Sequence, residues 1–169
     1  MANLIQQNQG TVITWADSGA THAITLKGLA SGAGRQGVEH DGGVAAVATR
    51  YMWFFQTQFD TATAPVVGEG VRVYLKTAPD GTNYDNDDGN GTDIAVSAED
   101  KLRNLWHLGT MQVDEAAADV PMQISGGPIE IGAEKFAPVI WNATADNLDD
   151  DASTTDNKFS LIPVPLEVQ

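Results

Sequence analysis

Between Arg50 and Lys76 apolar and polar side chains alternate with a period of two. Tyr51, Trp53, Phe55, Thr57 and Phe59 fall on one face, and Met52, Phe54, Gln56 and Gln58 on the other, which is the pattern of an unusually aromatic β-strand. A second run, Val71, Val73 and Leu75 against Arg72, Tyr74 and Lys76, follows a connection bearing Pro65 and several glycines. The two runs predict adjacent core strands. Burying the five residues of the first face at roughly 1.5–3 kcal/mol each supplies on the order of 10 kcal/mol, comparable with the net stability of a whole domain. The opposite face carries Met52 and Phe54 between polar neighbours, so it predicts a covering layer or a second subunit, with these two side chains as the oligomer or partner interface.

The same period recurs along the chain. Residues 1–10 are polar and predict a flexible N-terminal arm ahead of one domain over residues 11–169. Thr11 to Trp15 and Thr21 to Lys27 predict a hairpin about the Asp17-Ser18-Gly19 turn, with His22, Ile24 and Leu26 sharing a face. Gly28 to Gly43 is too glycine-rich for a helix or a good central strand and predicts a loop that is mobile or ordered by a partner. Gly32, Gly34 and Gly37 in it match the spacing of a dinucleotide fingerprint, but Val38 to Gly43 does not begin the helix that would receive a pyrophosphate. Val44 to Thr49 is expected to be extended.

Ser97 to Asp100 suits the start of one short helical turn, with Ser97 as cap and Leu102 and Leu105 behind it. From Leu105 the strand period returns through Val113. Val120 to Ser125 and Pro128 to Gly132 predict two strands around a Gly-Gly turn. Lys135 to Trp141 predicts a strand that Pro138 assigns to an edge or a bulge, and Lys158 to Val164 the last strand. About eight to ten short strands with at most one helical turn make this an all-β chain, a single-domain β-sandwich or jelly roll.

A chain of 169 residues can bury a sizeable core. Its formal charge of -14 repels phosphate backbones and anionic lipid, so neither nucleic acid nor a membrane is an expected partner. With no cysteine there is no disulfide, thiolate metal site or nucleophilic thiol. The N-terminal residues lack the basic region and apolar run of a signal peptide, which predicts synthesis and first folding in a cytoplasm.

Candidate chemistry is sparse. The acidic loop from Ala78 to Asp93 is by default a solvated turn. Its alternative is a calcium site on Asp85, Asp87, Asp88 and Asp93, because that ion takes hard oxygen ligands from a flexible backbone. The spacing departs from an EF-hand, since aligning Gly91 with its invariant glycine puts Ser97 where the bidentate Glu should stand. Asp146 to Asp156 is a second acidic loop whose carboxylates hydration would keep ionised. His22, His40 and His107 are far apart in sequence, and their spacing gives no reason for them to converge. No serine lies in a nucleophile elbow. Glu130 and Glu134 are the least ordinary carboxylates, although outward side chains on strands account for them. Trp15, Trp106 and Trp141 could stack on sugar rings if exposed, against core packing as the usual fate of tryptophan. No enzymatic activity is expected.

Four strings carry a resemblance: Ala98 to Gly109, Asp80 to Gly89, Trp141 to Ala145 and Leu161 to Pro165. Over about Thr21 to the C-terminus the chain resembles small, acidic, cysteine-free structural proteins of tailed bacteriophages. The resemblance implies a β-sandwich virion protein, most of all a capsid decoration or cement protein. Such a protein sits on the capsid surface, its partner is the major capsid protein, and it associates with itself, a trimer being favoured. It carries no family site residues and implies no cofactor. The alternative is a glycan-binding module of a phage tail or fibre.

Overall fold

The computed structural model describes residues 5–7, 11–43, 50–62, 64–84, 91–150, 156–164 and 166–168. In chain order the strands are Ile5–Gln7 (β1), Ile13–Ala16 (β2), His22–Ala23 (β3), Ala33–Gln36 (β4), His40–Asp41 (β5), Arg50–Thr57 (β6), Gly70–Ala78 (β7), Ile94–Val96 (β8), Trp106–Gln112 (β9), Met122–Glu130 (β10), Lys135–Asn142 (β11), Lys158–Pro163 (β12) and Leu166–Val168 (β13). Two sheets pack face to face, one in the order β10-β6-β12-β2-β3 and the other β8-β4-β11-β7-β9, with β5 also on β11. The expected β-sandwich is therefore present. Among the described residues the only helical element is a 3-10 turn at Glu99–Leu102.

The two inner faces make the main core. Tyr51, Trp53, Phe55 and Phe159 of one sheet meet Val71, Val73, Leu75 and Ile140 of the other, all buried. The face assigned to Trp53, Phe55 and Phe59 is thus the core face, and Thr57 is buried with them. Trp53 has its space because two strands carry glycine beneath it. A Cβ at Gly126 would lie 2.8 Å from the indole Nε1, and one at Gly109 would lie 3.0 Å from Cη2.

β6 and β7 are not neighbours, contrary to the expectation. β6 lies between β10 and β12, and β7 between β11 and β9. Alternation says that a strand has one buried face, not which strand pairs with it, and the intervening residues cross from one sheet to the other. The predicted hairpin is corrected too, since β2 and β3 pair in parallel with Trp15 opposite His22. The expected alternation survives beyond β3, where Ile24 and Leu26 are buried.

The glycine-rich segment is not wholly loop, because it contains β4 and β5, both paired to β11. Its glycines answer to packing: a Cβ at Gly34 would stand 2.6 Å from Trp141 Cε3, and one at Gly37 would stand 2.8 Å from Trp15 Cδ1. Two strands predicted around Gly126-Gly127 are one strand, β10, whose register slips between Gly126 and Ile129. Pro138 lies in the interior of a sheet, not at an edge. Gly37 N–H donates to its carbonyl at 2.9 Å, so its own nitrogen faces the gap between β4 and β5, where no ladder bond is lost. Ser97 does not cap the helical turn; Ala98 occupies that place and provides no side-chain bond.

Of the N-terminal arm, Ile5–Gln7 pairs antiparallel with β13. The rest of residues 1–10, and Val44 to Thr49, lie outside the described residues.

Candidate functional site

The outer face of the six-stranded sheet carries a second apolar cluster. Val139 and Trp141 of β11 are covered by Val96, Leu102 and Leu105, with Tyr74 packed alongside. The helical turn exists to present Leu102 and Leu105 to this surface, a short element held by tertiary packing rather than by propensity. Between the turn and β7–β9 lies an open cleft of about 510 Å³. Tyr74 and His107 form one wall. They are directly paired across β7 and β9, their ring centroids 4.9 Å apart and tilted by 46°. His107 Nε2 hydrogen-bonds Thr110 Oγ1 at 3.2 Å, which fixes the imidazole plane. Leu102 and Leu105 lie at its base, and Glu99, Asp100 and Arg103 stand at the rim. Glu99 is ion-paired with Arg72, which raises the guanidinium's pKa further.

Trp106 does not belong to this wall. It is paired with Leu75, whose side chain is in the inter-sheet core, so the indole leaves the other face of β9, and it is 42% exposed. Trp15 and Trp141, also considered as sugar platforms, are buried.

Of the four calcium candidates, Asp85, Asp87 and Asp88 lie outside the described residues. Asp93 is committed elsewhere. Its Oδ1 accepts from Arg35 Nε at 2.5 Å and its Oδ2 from Thr25 N–H and Oγ1 at 3.0 and 2.5 Å. Burial alone would raise this carboxyl, but the bonds from Arg35 and Thr25 outweigh it and hold Asp93 below the usual range. A cation arriving there would have to displace a guanidinium. Among the described residues no group of three or more His, Asp or Glu side chains could hold a metal ion.

Three polar features were missed by sequence reasoning. Lys76 falls on the outward face of β7, yet it is fully buried; its Nζ donates to Gln36 Oε1 at 2.8 Å and lies 4.2 Å from the centre of the Tyr84 ring. The segment after β7 folds back over that face, which period-two reasoning does not foresee. Secondly, two of the three histidines do converge. His22 Nε2 and His40 Nδ1 are 2.9 Å apart beside Trp15 and Phe136. β3 and β5 belong to different sheets, so this bond joins the two sheets at one margin, next to Val38 N–H donating to Ala23 at 2.8 Å. Burial lowers both imidazole pKa values, and His22 lowers that of His40 further. Thirdly, the second acidic loop is not simply hydrated. Asp146 and Asp149 are buried, and Asp146 Oδ2 has no hydrogen-bond partner. Burial raises the Asp146 carboxyl, and Asp60 and Glu69 add to the effect.

The outer face of the five-stranded sheet is the remaining surface. On it Met52 is 37% exposed and Phe54 half-buried, the latter with Lys158 Nζ 5.8 Å from its ring centre. Met52 pairs with half-buried Ile162, and Phe54 with Ser160 and Ser125.

The chain was compared with protein-family models, curated proteins and solved structures, and none matches it.

Proposed function

We propose that the protein is a structural component of a tailed-phage virion, a capsid decoration or cement protein that binds the outer capsid lattice as a symmetric oligomer, most readily a trimer. The observation that carries this reading is the Met52–Phe54–Ile162 patch, apolar side chains on the paired strands β6 and β12 of an outer sheet face with polar neighbours. Supporting it are the resemblance of the four strings quoted above and a rigid two-sheet body whose sheet faces supply flat, repeatable contact surfaces. Symmetric copies can each make a weak contact and together hold a lattice firmly. The major capsid protein is the partner on this reading, and the negative charge of the module calls for a neutral or basic surface opposite it.

The test is quantitation of the protein on purified particles, together with the Met52→Lys and Phe54→Lys variants. Decoration predicts on the order of hundreds of copies per particle, as lattice symmetry requires, loss of the lysine variants from the particle, and less heat-resistant heads in particles lacking the protein. A handful of copies, with intact heads and lost host adsorption, would replace this reading with a glycan-binding tail or fibre module.

A further inference from the structure

We infer that the cleft between the 3-10 turn and the β7–β9 edge is a binding site for a neutral pyranose sugar, independent of the β6 face used in the decoration reading. A pyranose has a flat face of C–H bonds and a rim of hydroxyls, each both donor and acceptor. It is recognised by an apolar or aromatic wall beside polar groups of both kinds. The cleft offers this combination. Tyr74 and His107 supply ring surface, Leu102 and Leu105 the apolar base, and Asp100 and Arg103 an acceptor and a donor at the rim.

The wall is pre-formed. Tyr74 and His107 are registered across paired strands, and the imidazole is tied to Thr110, so little ordering is required when a ligand arrives. Asp100 and Arg103 have no side-chain ion pair among the described residues, unlike Glu99, which is occupied by Arg72. They are free to exchange water for hydroxyls.

Other ligand classes fit less well. An anionic ligand would meet Glu99 and Asp100 on a protein of net charge -14. A purely apolar ligand gains most from a deep enclosed site, and this cleft is open along one side. Its volume of about 510 Å³ exceeds what one sugar ring needs and leaves room for a second unit.

The experiment is a titration of the full-length, isotope-labelled protein with methyl β-D-glucopyranoside and methyl β-D-galactopyranoside, followed by amide NMR. We expect saturable shifts at Tyr74, residues 99–105 and His107 with at least one of them, with a Kd on the order of millimolar, as suits a small ligand in an open site. Arg103→Ala and His107→Ala should each weaken binding by about five- to tenfold, the effect of one lost aromatic or charge-assisted contact. Amide spectra matching the wild type away from the cleft show that the variants are folded, and Trp106→Ala should bind normally. Absence of saturable shifts with both sugars at about 100 mM, two decades above a millimolar Kd, overturns the proposal. So does binding that is lost with Trp106 and kept without His107. Particle incorporation is not the readout, so the decoration reading can fail without affecting this result.

Discussion

Replacing Gly34 by alanine asks whether the glycine-rich segment is packed strand or loop. In the fold, a Cβ at residue 34 would sit 2.6 Å from Trp141 Cε3, closer than carbon atoms approach, and a tight 3.1 Å from Val96 Cβ. Neither neighbour can move cheaply, because Trp141 and Val96 are buried together with Leu102, Leu105 and Val139. Overpacking of this kind costs about 1–3 kcal/mol. Against it stands the restriction of the unfolded chain when glycine becomes alanine, which returns about 0.4–1 kcal/mol. The net expectation is a loss centred on about 1.3 kcal/mol and reaching about 2.6 kcal/mol, or roughly 3–5 °C in Tm at the centre for a domain of this size.

Gly132→Ala is the matched control. That glycine has nothing within 4 Å of its would-be Cβ and no left-handed backbone angle, so the entropy gain stands alone and Tm should hold or rise slightly. Thermal unfolding followed by near-ultraviolet circular dichroism reads both stability and the Trp141 environment. Trp141→Leu made in the Gly34→Ala background should recover part of the loss, so that the double-mutant cycle shows coupling between β4 and β11. If Gly34→Ala melts with or above the wild type, and the cycle shows no coupling, β4 is not packed beneath Trp141 and the base of the proposed sugar cleft loses its support.

Other outcomes follow from the buried polar groups. His22 and His40 have folded-state pKa values lowered from 6.5, so the stability they contribute is complete above that value and is lost as pH falls below it. A His22→Gln, His40→Gln double variant should therefore lose less Tm than the wild type between about pH 7.5 and 5.5, the window around the ordinary imidazole pKa; equal losses refute a role for the pair. Asp146 has a raised carboxyl pKa, so its folded state favours the protonated form and its contribution is lost as pH rises through that value. Asp146→Asn keeps an acceptor for Asn147 N–H and removes the carboxylate charge with its repulsion from Asp60 and Glu69, while its amide nitrogen inherits the unpartnered position of Oδ2, so Tm at neutral pH should hold or rise, with the difference closing in acid. Asp93→Ala removes the partner of both Arg35 and Thr25 and should cost about 1.5–3 kcal/mol, as hydrogen bonds to charged groups do. The lowered Asp93 pKa places that contribution above the ordinary carboxyl range and removes it as pH falls. Because a guanidinium already holds Asp93, a chelator should leave the melting curve unchanged, and a clear drop in Tm would return calcium to this loop.

The longer strands β6, β7, β9, β11 and β12 were legible, and so was the core face of β6, because a period of two with large aromatics has one physical meaning. Pairing was not. β6 and β7 each have several geometrically acceptable neighbours, and the choice is made by residues remote in sequence. β4 is the sharpest case: Ala33–Gln36 looks like loop because glycine lacks strand preference, while the reason for Gly34 is an indole on β11. The burial of Lys76 was hidden for a related reason, since a charged residue on an outward face is solvated unless another segment folds over it. The cleft left a partial signal. Leu102 and Leu105 on so short a turn required a surface to cover, and Tyr74 alternates with the core residues Val73 and Leu75, whereas strict alternation sets His107 on the same face as buried Met111 and Val113. The pairing of Tyr74 with His107 depended on a register shift between Val73 and Tyr74 that composition does not announce.

The apolar patch and the cleft lie on opposite sides of the sandwich. The Met52–Phe54 patch is on the outer face of the five-stranded sheet, and the Tyr74–His107 cleft on the outer face of the six-stranded sheet. A copy docked through the first would present the second away from its partner, open to solvent and to a soluble or tethered glycan. That arrangement links two proposals without making either depend on the other. Phe54→Lys should abolish particle incorporation and leave pyranoside binding intact, whereas Arg103→Ala should do the reverse. A variant that lost both functions while remaining folded would mean that the two faces communicate through the shared core of Trp53, Phe55 and Phe159, whose close packing is able to transmit strain from one sheet to the other.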